Sequence, residues 1–167
     1  MPILETRTLH WPDEAACAAS AARLAARVDA LSVAPPGQPS AFIELHGPLG
    51  AGKTTFVRHL LHALGVEGRV KSPTYAVMEP YALPHNGAVL NISHFDFYRF
   101  TDPQEWEDAG FRDVFAAPGL KLAEWPEKAE GLLPPADLRI HIEPLAEPLR
   151  AVRVEANTVL GQALLAW

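Results

Sequence analysis

Cysteine is almost missing from this chain. Of 167 residues only Cys17 is one, so no internal disulfide can form. A zinc site built on that thiol would need further ligands in a tight cluster, and the sequence offers none. Both absences suit a reducing compartment. Long apolar runs are missing too. No stretch approaches the roughly 18 apolar residues that read as a membrane span, and Met1 to Arg7 lacks the apolar core of a signal peptide. Basic residues are few: 14 Lys and Arg stand against 20 Asp and Glu, giving a net charge of −6 and a pI near 5.6. They are scattered, with no basic block, which argues against a surface whose own task is to grip nucleic acid. The expectation is a soluble, cytoplasmic protein folded as one domain over residues 1–167, with no membrane association.

What is present is concentrated in one place. The run Gly47-Pro48-Leu49-Gly50-Ala51-Gly52-Lys53-Thr54 follows the apolar segment 41–45 and matches the pattern of a phosphate-binding loop. Gly47 and Gly52 allow backbone angles and a close approach that a Cβ would block. Backbone N–H groups from Gly47 to Thr55, with Leu49, Gly50 and Ala51 among them, are placed to wrap a β-phosphate. Lys53 would reach the β/γ oxygens and Thr54 would offer its hydroxyl to Mg²⁺. The helix that starts near Lys53 adds its positive end. The pattern implies binding of a nucleoside triphosphate.

The rest of the chain reads as an α/β fold. Residues 3–11 alternate as an edge strand, and Asp13 is placed to cap a helix running from 15 to 31 with Ala18, Ala21, Leu24, Ala25, Val28 and Leu31 on one face. The proline-rich stretch 32–40 is a connector. Strand 41–45 feeds the phosphate loop, helix 54–64 follows, and Gly65 ends it. Residues 75–81 and 88–95 read as a hairpin around a turn at 83–87. Strands follow at 120–123, 138–142 and 151–155, the last two with the alternation of antiparallel strands, and a short helix spans 158–165.

Three acid or hydroxyl positions stand out beyond the loop. Asp96 ends the apolar run 88–95, where a phosphate-loop fold places the carboxylate that holds Mg²⁺; capping of the next turn is the other reading. Ser72-Pro73-Thr74 lies after the loop helix, where switch segments present a hydroxyl, although the triplet is also ordinary turn chemistry. Glu124, at the end of another apolar strand, is open between orienting a water or metal and a solvated strand end. His59 and His62 read as a surface pair without a third ligand. Trp11, Trp106 and Trp167 read as packing residues. Arg58 and Arg99 are open between phosphate or partner contacts and structural ion pairs.

Taken in order, these segments resemble the bacterial TsaE (formerly YjeE) family. The resemblance covers residues 10–145. It rests on Gly-Pro-Leu-Gly-Ala-Gly-Lys-Thr-Thr at 47–55, Val70-Lys71-Ser72-Pro73-Thr74-Tyr75, His94-Phe95-Asp96-Phe97-Tyr98-Arg99, Gly110, and Glu124-Trp125-Pro126-Glu127. It implies a P-loop NTPase fold, with a mostly parallel sheet, antiparallel additions and helices on both faces. It also implies a weak Mg²⁺-dependent ATPase needed for threonylcarbamoyladenosine modification of tRNA at position 37. In that role TsaD and TsaB are its partners, and tRNA is met only through their complex. By the same resemblance Lys53, Thr74, Asp96 and Glu124 are catalytic, Thr54, Asp96 and Glu124 face the metal, and Thr55 and Trp125 join the loop in the nucleotide pocket. Two positions depart from the family: Pro48, where an acidic or polar residue is commoner, and Cys17, where a threonine often lies near the adenine. A small-molecule kinase would use the same loop, but the sequence has no Arg-rich lid. A GTPase would need an Asn-Lys-x-Asp run, which is absent.

Overall fold

A computed structural model of the chain describes residues 2–31, 40–70, 73, 77–85 and 87–167. Seven strands form one sheet: β1 (Glu5–Trp11), β2 (Ala41–His46), β3 (Met78–His85), β4 (Ala88–Asp96), β5 (Leu120–Glu124), β6 (Leu138–Pro144) and β7 (Arg150–Ala156). Their order is β1-β7-β6-β2-β5-β4-β3. The four central strands β6, β2, β5 and β4 are parallel, and β1, β7 and β3 add antiparallel. A mostly parallel sheet with antiparallel strands added and helices on both faces is the arrangement expected from the sequence.

Alternation along the buried strands divides the interior in two. On β2, Ile43 and Leu45 face one side with Leu120, Leu122, Leu90 and Ile92, under helices α1 (Glu14–Leu31), α2 (Lys53–Leu64) and α5 (Val159–Leu165). Phe42 faces the other side with Phe95, Phe97 and Ala123. Two six-residue helices, α3 (Pro103–Asp108) and α4 (Phe111–Ala116), roof that second core with Trp106 and Phe111. Neither helix was expected from the sequence. Each is shorter than two turns, too short for a 3.6-residue period to register, and both are held by packing: the Trp106 ring stacks on Phe115 and meets Phe111 edge-on.

Helix α1 begins where its cap predicts, with Asp13 Oδ1 accepting the Ala16 N–H at 2.9 Å. Trp11 stacks on Phe56 with ring centroids 5.5 Å apart and donates to Ser20 Oγ, tying β1 to α1 and α2. Trp167 lies under the Arg7 guanidinium. The hairpin differs from expectation. Its described first strand starts at Met78 and runs on through Pro84 to His85, so the turn expected at 83–87 is strand over its first three residues. The physical reason is position. β3 is the sheet edge, where Pro80 and Pro84, four residues apart, turn their missing N–H groups outward and cost the ladder nothing. The connector 32–39, Thr74 to Ala76 and Asn86 lie outside the described residues. Among the described residues no helix is long and apolar enough to cross a membrane.

Candidate functional site

The loop from β2 to α2 is shaped by its glycines and by a turn. Ala51 N–H donates to the Pro48 carbonyl at 3.1 Å, and Gly50 sits third in that turn with φ +80°, a conformation that favours glycine. Gly47 is constrained by space: a Cβ there would lie 2.5 Å from the Ile142 carbonyl oxygen and 3.0 Å from Ala51 Cβ. The loop thus lies directly on β6. Helix α2 starts from Gly52 with no side-chain cap, so its first-turn N–H groups face the cleft without an intrahelical acceptor. Leu49 is 74 % exposed at the mouth of the loop.

Lys53 heads that helix and is buried. Its Nζ donates to the carbonyls of Gly47 and, at 3.3 Å, of Pro48, and it sits 3.7 Å from the centre of the Trp125 ring. Burial lowers the pKa of this ammonium, while Glu124, Glu127 and Asp96 pull it back up. Trp125 reaches over the lysine because its backbone is left-handed, with φ 55°, immediately before a 3₁₀ turn over Pro126–Ala129. Tyr98 packs against Trp125 with centroids 4.9 Å apart.

The carboxylates arrive on the sheet. Asp96 and Glu124 end adjacent parallel strands and are partners in register, so both project toward α2 at the carboxyl ends of the strands. Both are buried. Thr54 Oγ1 donates to Glu124 Oε1 at 2.7 Å, and His94 Nε2 donates to Glu124 Oε2 at 2.6 Å. Asp96 Oδ1 accepts the Tyr98 N–H at 3.0 Å. The structure therefore brings Lys53, Thr54, Asp96, Glu124 and Trp125 around one cleft of about 400 Å³, whose lining also includes Thr55, Tyr98 and Arg99. Thr74 lies outside the described residues. His94 opens the sequence motif at 94–99, and sequence reasoning gives it no role. Its signal was a polar residue two positions before Asp96, on the same inward face of an apolar strand.

A second, smaller cleft of about 160 Å³ opens from the other side of the loop, sharing Ala51, Gly52 and Thr55 with the first. Trp11, Asp13, Glu14, Cys17, Glu147, Pro148 and Arg150 complete it. Burial, with some help from Glu14, pushes the Cys17 thiol up to about 12. Arg150 Nε donates to the Ala51 carbonyl at 3.0 Å, bracing the loop from β7. Behind the loop, the His46 ring stacks on His141 at 4.8 Å, and His141 donates to Glu155 at 2.7 Å. His59 faces Glu14 and His62 faces the Gly68 carbonyl, so the two histidines of α2 serve different partners.

A loop of N–H groups at a helix start, a buried lysine, a hydroxyl and two acids can hold a polyanion together with a hard cation. Comparison with known proteins gives this site its relatives. The family model described as "Threonylcarbamoyl adenosine biosynthesis protein TsaE" matches residues 11–152. A Haemophilus influenzae protein named tRNA threonylcarbamoyladenosine biosynthesis protein TsaE is 43 % identical over 123 residues, 74 % of this chain and 75 % of the relative. Its namesake from Bacillus subtilis is 36 % identical over 119 residues, 71 % of this chain and 72 % of that one. A crystal structure of Bacillus subtilis YdiB superposes with a TM-score of 0.74 at 25 % identity, covering 99 % of this chain and 95 % of that one. With the family model matching residues 11–152 and relatives more than 30 % identical over some seven tenths of the chain, the chain belongs to the TsaE family of threonylcarbamoyl adenosine biosynthesis proteins.

Proposed function

We propose that the chain binds ATP with Mg²⁺ and hydrolyses it slowly, and that this turnover supports a TsaB–TsaD complex modifying tRNA in the cytoplasm. The observation that carries the reading is the convergence of Lys53, Thr54, Asp96 and Glu124 on one cleft at the start of α2. In this reading the loop N–H groups and Lys53 hold the β- and γ-phosphates, and Lys53 offsets the charge that develops as the terminal phosphoryl group leaves.

The donor set fits magnesium. Among the described residues no group of three or more His, Cys, Asp or Glu is arranged to hold an ion. What the cleft supplies is the Thr54 hydroxyl with the carboxylates of Asp96 and Glu124, and Mg²⁺ characteristically takes one or two carboxylates and completes its shell with phosphate oxygens and water. When bound, it would neutralise phosphate charge. Thr74 would sense the terminal phosphate, a role that rests on the family motif. The smaller cleft beside Cys17 would take the base, because it meets the phosphate cleft at Ala51, Gly52 and Thr55.

The test is reconstituted tRNA modification with TsaD, TsaB, supplied threonylcarbamoyl-adenylate and ATP. Three arms are compared over several turnovers: no addition, this protein, and its Lys53→Ala form. The reading requires that only the intact protein sustain turnover. Equal progress in all three arms would refute the ATP-driven role.

A further inference from the structure

We infer that His94 is a positioning residue: through Glu124 it fixes the direction of the Thr54 hydroxyl, the group offered to magnesium. The inference rests on the nucleotide–metal reading above and adds to it a three-member chain, His94, Glu124 and Thr54, drawn from three different elements, β4, β5 and α2.

His94 is fully buried and Glu124 is 2 % exposed. An ionised carboxylate only accepts hydrogen bonds, so both neighbours must donate to it. At 2.6 Å the imidazole Nε2–H holds Oε2, and at 2.7 Å the Thr54 Oγ1–H holds Oε1. The second contact sets a direction. With its proton committed to Glu124, the Thr54 oxygen turns its lone pairs away from the glutamate and toward the cleft, as a cation ligand requires. Each Glu124 oxygen thereby holds one donor, so a single carboxylate spans the histidine and the threonine. His94 is the outer anchor. It packs beneath the site on the same strand face as Asp96, and its other nitrogen, Nδ1, has no hydrogen-bond partner among the described residues. Among the described residues its one side-chain hydrogen bond is therefore the one to Glu124. Residues that orient a metal ligand from behind typically cost about 10- to 100-fold in metal affinity when removed.

The test measures ADP affinity with magnesium and with EDTA for the wild-type protein and for His94→Leu, His94→Gln and His94→Asn. The glutamine amide nitrogen reaches about where Nε2 stands and keeps the donor, whereas the shorter asparagine reaches the Nδ1 position and does not. His94→Leu and His94→Asn are expected to lose at least about tenfold of the magnesium-dependent gain in affinity, with binding in EDTA near the wild-type value; His94→Gln is expected to recover most of the loss. In a Thr54→Val background, His94→Leu should cost nothing more. If His94→Leu does not fold, the glutamine–asparagine contrast decides alone. A wild-type magnesium gain in His94→Leu or His94→Asn, an equal loss in EDTA, or no recovery in His94→Gln would each overturn the inference. A wild-type protein that gains no affinity from magnesium would overturn the nucleotide–metal reading itself.

Discussion

Replacing Gly47 by alanine should destabilise the whole domain, and the structure gives the size of the effect. Its φ is +151°, and an added Cβ would stand 2.5 Å from the Ile142 carbonyl oxygen, which belongs to a central strand and cannot swing aside. A non-glycine residue held in a sparsely populated backbone region costs about 1–3 kcal/mol. Forcing an extra carbon into a filled space costs a further 1–3 kcal/mol or so. Their sum, about 4 kcal/mol, is a large share of the roughly 5–15 kcal/mol that stabilises a domain. For a chain of this length that corresponds to a fall in Tm of about 8–16 °C. Gly50→Ala is the control: its φ is +80°, but nothing lies within 4 Å of the new carbon, so only the strain term applies, about 1 kcal/mol and about 3 °C. Both variants would be melted without nucleotide and followed by circular dichroism. Equal losses in the two, or a Gly47→Ala protein melting within about 3 °C of the wild type, would refute the account of a loop seated on β6.

Two further outcomes follow from groups near the loop. Burial, with a smaller contribution from His46 and Arg153, holds the His141 pKa below the ordinary histidine value despite its bond to Glu155. In the unfolded chain the imidazole takes up its proton first, so stability declines as the pH falls from near 6.5 through the lower folded value, and above that range this group adds no slope. His141→Gln, which keeps a donor for Glu155, should flatten that part of a urea-denaturation profile; an unchanged slope would contradict the assignment. The Cys17 thiol, buried and pushed up to about 12, should resist iodoacetamide at pH 8 in the folded protein and react readily in urea. Labelling at the rate of a free thiol without denaturant would show that the small cleft is more open than described.

Much of this architecture could be read from the chain because its signals are local. The phosphate loop declares itself through fixed spacing between a buried strand and an amphipathic helix. The alternation of β6 and β7 follows from one face being wet. The two small helices were hidden because Trp106, Phe111 and Phe115 are organised by one another across the second core rather than by a period along the sequence. Pro84 misled for a different reason: proline signals a turn or an edge strand equally well, and only the strand order distinguishes them. The site divides in the same way. Lys53, Thr54, Asp96 and Glu124 were legible as residues, since each ends or begins an apolar element. Their connectivity was not, because the bonds joining Thr54, Glu124 and His94 span separations of 70 and 30 residues, and no spacing rule reaches that far.

The pairing of Asp96 with Glu124 across neighbouring strands has a geometric result of its own. Adjacent strands lie about 4.8 Å apart whatever connects them, so the interval between these two acids is set by the backbone ladder, as on a ruled scale. The amino end of β2, where Ala41 pairs with Leu120, and the tip of the β3–β4 hairpin, where His85 pairs with Ala88, lie at the opposite ends of the strands from those two marks. Chains of this architecture can therefore lengthen or shorten their outer loops while the acids keep their distance, and an insertion placed at the β3–β4 tip near Gly87 should leave the reacting end of the sheet in calibration.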